Sequence, residues 1–181
     1  MSAPYQPYYC EENVWHLAAD PALAAAPRRV VFVSNPARQV LMFGQRAAGE
    51  VGYVVWDYHV VLLVDDAGWQ VHDLDFVGGR PAPVATWLRA SFPLTGRVPG
   101  HLEPTLRVID ADRFRDVFSS DRSHMRAPDG GWLAPPPPWP APGRGTNLMR
   151  FVDVEADFEG EVMDLPTFAA RFAAQSASST R

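Results

Sequence analysis

Residues 51–75 read VGYVVWDYHVVLLVDDAGWQVHDLD, and this stretch decides the fold. Two β-rich runs, Val51 to Val64 and Trp69 to Asp75, flank Asp65-Asp66-Ala67-Gly68. Aspartate at the head of such a link and glycine at its end suit a type I turn closed by a left-handed glycine, so the runs form a hairpin. With Asp66 to Gly68 as a three-residue loop, Asp65 faces Trp69, and the numbers of opposed residues sum to 134. His59 then lies opposite Asp75 and diagonal to Asp73. Side chains alternate along a strand, so both aspartates share the face of His59, while His72 points the other way. The turn thus brings a histidine and an aspartate together on neighbouring strands. It does not choose between Asp73 and Asp75, because a slip of one residue flips a strand.

Working outward, Arg29 to Ser34 and Val40 to Phe43 read as further strands, and Leu106 to Ile109 as another. Helical spacing runs through Glu11 to Ala19, Pro83 to Phe92, Asp112 to Phe118 and Leu165 to Ala174, the last capped by Asp164. Glu11 and Glu12 suit a first helical turn. Residues 119–147 read as irregular, and Pro135 to Pro138 exclude helix or inner strand there. Trp132 and Trp139 favour an ordered loop over a stiff linker. Gln175 to Arg181 are small and polar and read as a frayed end. Antiparallel strands with peripheral helices make the expected class α+β.

The 181 residues are expected to form a single domain, 1–181. The sequence holds one cysteine, Cys10, and its 16 basic residues are all arginine. Without lysine there is no Schiff base and no Walker A loop. One cysteine excludes an internal disulfide and a multi-thiolate zinc site. The net charge of −5 and scattered arginines argue against a nucleic-acid partner. No secretory signal opens the chain, and no run is long enough for a membrane span. A cytoplasmic monomer, with no membrane partner and no cofactor, is expected.

Cys10 stands directly before the first predicted helix, whose N-terminus lowers a thiol's pKa. A nucleophilic thiol needs a base, and the base an orienting group. His59 with Asp73 or Asp75 answers both needs, although a histidine heading an apolar strand is more commonly a satisfied core residue. Asp57, His59, Asp73 and Asp75 could also supply metal ligands, but no tight ligand spacing such as HExxH appears, and no metal is expected. Ser119 to Met125, SSDRSHM, is polar-dense and reads as a solvated turn or as a pocket wall.

Several blocks resemble the protein N-terminal glutamine amidohydrolases. These are Tyr9-Cys10-Glu11-Glu12-Asn13-Val14-Trp15, then Val55 to Leu63 with Asp73-Leu74-Asp75, then Arg107-Val108-Ile109 with Ala111-Asp112. Phe118 to Met125, the Pro135–Pro140 run, Asn147-Leu148 and Leu165 to Phe172 follow in family order. The resemblance implies a papain- and transglutaminase-like fold and a triad of Cys10 as nucleophile, His59 as base and Asp73 as orienting residue. It implies hydrolysis of an amino-terminal glutamine of proteins or peptides to glutamate and ammonia through a thioester, a step that feeds N-degron degradation in eukaryotes. Recognition of a chain terminus needs a partner for the α-ammonium, for which Glu11, Asp57 and Asp121 are the candidates. The competing readings are a transglutaminase-type acyl transferase and a non-enzymatic module that grips peptide N-termini.

Overall fold

The computed structural model describes residues 4–173. Ala174 and the expected frayed end, Gln175 to Arg181, lie outside the described residues. In chain order the elements are α1 (Cys10–Leu17), β1 (Arg28–Ser34), β2 (Val40–Phe43), β3 (Tyr53–Trp56), β4 (His59–Asp65), β5 (Trp69–His72), β6 (Ala82–Pro83), α2 (Val84–Ser91), β7 (Thr105–Asp110), α3 (Ala111–Val117), α4 (Leu148–Val152), β8 (Glu161–Asp164) and α5 (Leu165–Phe172). Strands β6-β5-β4-β1-β7-β8 form one sheet and β2-β3 a second, with antiparallel pairing throughout. The architecture is α+β with an antiparallel sheet.

The hairpin register is the one the turn dictates, with Asp65 opposite Trp69 and Leu62 opposite His72. Asp65 Oδ1 accepts the Gly68 N–H at 3.2 Å. Ala67 (φ +54°) shares the left-handed backbone with Gly68 (φ +122°), so the turn does not rest on the glycine alone.

Two strands differ from expectation for one physical reason: an aspartate side chain captures a nearby backbone amide and ends the ladder. The run Val51 to Val64 is not one strand. Asp57 Oδ1 accepts the Tyr58 N–H at 2.9 Å, and the chain passes there from the small sheet into the large one. The run Trp69 to Asp75 stops at His72. Asp73 Oδ1 takes the Asp75 N–H at 3.0 Å and the Asp73 carbonyl takes the Phe76 N–H, so the backbone turns. Helix α3 starts one residue early, at Ala111, because Asp110 caps it, accepting from the Asp112 and Arg113 N–H groups. Strands β6 and β8 and helix α4 are short, and the sequence pattern misses them.

The central strands β1 and β4 are buried on both faces. Val30, Phe32, Val60 and Leu62 pack toward α1, α3 and α4 with Phe114 and Phe151. Val31, Val33, Val61 and Leu63 pack toward α2, α5 and the small sheet with Trp87, Phe168 and Met42. Phe32 stacks on Phe151 at 5.1 Å between centroids. Such two-sided burial clamps β4 and hence the residue that opens it, His59. Arg107, also buried, donates to the Phe151, Asp153, Ala156, Phe158 and Glu159 carbonyls and anchors the segment after α4. Among the described residues no helix is long and apolar enough to cross a membrane.

Candidate active site

Helix α1 begins at Cys10 itself, one residue earlier than its sequence pattern indicates, with Tyr9 as N-cap. No side chain caps it. The entry is fixed instead by Asn13, whose amide accepts the Gln6 N–H and donates to the Gln6 carbonyl, both at 2.8 Å. Cys10 therefore sits in the first turn, where unpaired backbone N–H groups gather.

His59 and Asp73 meet directly, with Nε2 2.9 Å from Asp73 Oδ1. The diagonal partner makes this contact because the strand ends before Asp75 can stand opposite. Asp73 Oδ2 accepts from Gln45 Nε2 and from Trp87 Nε1, each at 3.0 Å. Both side chains of the pair are buried. Burial raises the Asp73 pKa, but the His59 charge and these hydrogen bonds outweigh it and hold the carboxyl at about 2. Burial likewise pulls the His59 imidazole down, and the Asp73 charge and hydrogen bond, with Asp75 and Glu11 behind them, carry it above its ordinary value. Trp56 stacks on the His59 ring at 5.7 Å and 13°. With Nε2 held by Asp73, Nδ1 is the ring nitrogen left for chemistry.

The thiol's setting differs from the sequence expectation. Burial comes first, then the negative charges of Glu11, Asp75 and Asp57, and together they push Cys10 well above an ordinary thiol. Glu11 Oε2 lies 3.7 Å from Cys10 Sγ and also accepts from the Tyr58 hydroxyl at 3.0 Å. A carboxylate this close outweighs the partial charge of a helix N-terminus. Burial and the neighbouring carboxylates thus favour the neutral form of the thiol.

Cys10 and His59 open on one cavity of about 500 Å³, walled by Tyr8, Trp56, Tyr58, Met125, Leu133 and Met149. Its lining carboxylates are Asp57 and Asp75, and His124 stands with them; no arginine is among the lining residues. Of the terminus-binding candidates, Asp57 is exposed and lines the cavity. Glu11 is fully buried behind it, hydrogen-bonded to Tyr58, with His124 Nε2 3.4 Å from its other oxygen. Asp121 does not line the cavity. It is exposed and spends a carboxylate oxygen on the Ser123 N–H at 3.0 Å, a local turn bond. His59, Asp73 and Asp75 do offer ligand atoms within 4.8 Å of one another. Both Asp73 oxygens, however, already accept from His59, Asp75, Gln45 and Trp87. A cation would have to compete with each of these donors.

Ser119 to Met125 contributes to a pocket wall, through His124 and Met125, and the longer segment 119–147 is the expected ordered loop rather than a linker. Arg122 donates to both oxygens of fully buried Glu12 at 2.7 Å and to the Trp139 carbonyl at 2.8 Å. Trp139 Nε1 returns a bond to Glu12 at 3.0 Å, and the Tyr9 hydroxyl holds the Ala134 carbonyl. Glu12, Arg122, Tyr58 and Gln45 carry the site, and the sequence reading assigned them no contact. Only the density of polar residues around Arg122 hinted at it.

Residues 5–172 match the model of the N-terminal glutamine amidase family. A protein N-terminal glutamine amidohydrolase of Bos taurus is 35% identical over 181 residues, covering 94% of this chain and 87% of that protein. The Homo sapiens protein of the same name is 35% identical over 178 residues (93% and 87%). The Arabidopsis thaliana one is 36% identical over 146 residues (75% and 66%).

Proposed function

The chain belongs to the N-terminal glutamine amidase family, and from that premise we propose that it hydrolyses the side-chain amide of an amino-terminal glutamine. Glutamate remains on the protein or peptide, and ammonia leaves. The observation that carries this reading is a cavity that holds one thiol, a histidine fixed by a buried aspartate, and carboxylates with no arginine among its lining residues. We read the whole chain as one papain- and transglutaminase-like domain, acting as a cytoplasmic monomer without a cofactor.

Cys10 Sγ attacks the glutamine Cδ as its proton passes to His59 Nδ1. The oxygen of the tetrahedral intermediate is met by the backbone N–H of Cys10 at the helix start. His59 delivers the proton to the departing nitrogen, the C–N bond breaks, and ammonia leaves a γ-glutamyl thioester. Water then attacks the same carbon, giving its proton to His59, and the C–S bond breaks. The thiol recovers its proton, and the glutamate side chain is free. Asp73 holds the imidazole in the productive tautomer and supports its charged form. Gln45 and Trp87 hold Asp73 in turn. The substrate's α-ammonium is received by Asp57 and Asp75, with Glu11 adding negative potential from behind. A carboxylate left unpaired in such a wall discriminates against blocked termini.

The test is ammonia release from a glutamine-first peptide, its acetylated form and an asparagine-first peptide. Cys10→Ala is expected to abolish release, and Asp73→Asn to lower kcat by about 10⁴ with the fold retained. Full release by Cys10→Ala, or equal turnover of the acetylated peptide, would falsify the reading.

A further inference from the structure

A second cavity of about 310 Å³ adjoins the first. Tyr8, Trp56 and Asp75 line both, so the two adjoin across an aromatic ridge. Tyr8 and Trp56 meet edge to face at 6.5 Å, and Tyr8 is exposed. Tyr8 also holds a left-handed backbone (φ +68°), which is costly for a tyrosine and survives where surrounding structure demands it. Its ring forms the ridge with Trp56, two residues before the thiol.

The second cavity differs from the first in charge. Arg46 lines it and is the one arginine among the lining residues of the two cavities. Its backbone N–H donates to the Asp75 carbonyl at 2.8 Å, and its guanidinium lies 5.2 Å from the Tyr5 ring centroid. Arg46 is exposed and makes no ion pair within 4 Å among the described residues. An exposed arginine without an ion pair, beside a groove it shares with Asp75, attracts a carboxylate. The size also fits, since ligand clefts begin at about 300 Å³.

On the reaction proposed above, the glutamine side chain points at Cys10 and the α-ammonium rests on the acidic wall that includes Asp75. The rest of the polypeptide leaves from the same Cα. Asp75 belongs to both cavities, so the chain's way out past it leads over the Tyr8–Trp56 ridge. One residue of extended chain spans about 3.3–3.6 Å, so the second and third residues fall beyond the ridge. We propose that this second cavity is the subsite for the second and third residues of the substrate, and that Arg46 there selects acidic side chains.

The experiment measures kcat/KM for ammonia release from Gln-Xaa-Ala and Gln-Ala-Xaa peptides, with Xaa glutamate or lysine. Wild type, Arg46→Ala and Arg46→Glu are compared through the glutamate-to-lysine ratio within each variant. A partly exposed charge pair is worth about a two- to fivefold change in that ratio. The ratio is expected to fall from wild type to Arg46→Ala, to fall again in Arg46→Glu, and to flatten in high salt. A ratio that stays the same across the three at both positions overturns the subsite and leaves the reaction standing. Absence of ammonia from every glutamine-first peptide overturns both.

Discussion

Glu11→Gln is the perturbation that tests how the thiol is held at rest. The substitution removes one negative charge 3.7 Å from Cys10 Sγ while keeping an oxygen to accept from Tyr58. Two unit charges at that separation interact by about 1 kcal/mol at the dielectric of water and by about 4.5 kcal/mol at an effective value near 20. Thiolate formation at Cys10 is disfavoured by that amount, so the variant's titration midpoint is expected about 1 to 3 pH units lower. At a fixed pH below both midpoints, thiolate is then about 10- to 1,000-fold more abundant. The assay is the rate of iodoacetamide alkylation against pH, read by whole-chain mass. The thiolate is the reacting form, and Cys10 is the single cysteine in the sequence, so each thiol adduct reports on the site alone. Wild type is expected to alkylate slowly at neutral pH and to accelerate only on the alkaline side of an ordinary thiol. A variant profile with an unmoved midpoint, or one displaced to higher pH, would refute the assignment of Glu11 as the charge that keeps the thiol neutral.

Two further perturbations test what fixes the site. Arg122→Ala leaves fully buried Glu12 without its cationic partner and is expected to cost about 3–5 kcal/mol in urea unfolding, most of it recovered in Glu12→Gln/Arg122→Met; a cost under about 1 kcal/mol would show the wall is held otherwise. Stability should also follow the His59–Asp73 pair. His59 is raised in the fold, so its contribution is complete below its ordinary 6.5 and is lost as pH rises through the folded value. Asp73 is lowered from 3.8 to about 2, so its contribution is present above 3.8 and is lost as pH falls toward 2. Tm is expected to decline on both sides of that window, and an alkaline decline that persists unchanged in His59→Gln would contradict the assignment.

The hairpin was legible because its determinants are local: Asp65, Gly68 and the alternation of the two runs fix which residues face each other. The same logic placed His59 near both aspartates and could go no further. The choice of Asp73 over Asp75 depends on where β5 ends, and that depends on Asp73 folding its own carboxylate onto the Asp75 amide. Strand pattern carries no trace of this. The thiol was misread because the helix N-terminus was visible in sequence, whereas the burial of Glu11 against Sγ was not. Glu12 shows the same limit. A glutamate in a first helical turn reads as solvated, and only the distant Arg122 and Trp139 make its burial tolerable. Short elements such as β6, β8 and α4 lack the length for a periodicity to register.

The acidic cavity also bears on whether water or an amine takes the acyl group from the thioester, the point that separates a hydrolase from a transglutaminase-type transferase. An amine attacks only in its uncharged form. Asp57 and Asp75 line the cavity, with Glu11 behind, and nearby carboxylates favour the charged ammonium over the free amine. An amine drawn into this cleft is thus bound and disarmed by the same groups. Water meets no such penalty, and in the proposed reaction His59 accepts its proton at the moment of attack. The chain has no lysine, so no ε-amine of its own lies in wait for the thioester. One arrangement of charge therefore serves two ends in the proposed reaction: it accepts the α-ammonium that marks a chain terminus, and it holds competing amines protonated while water completes the hydrolysis.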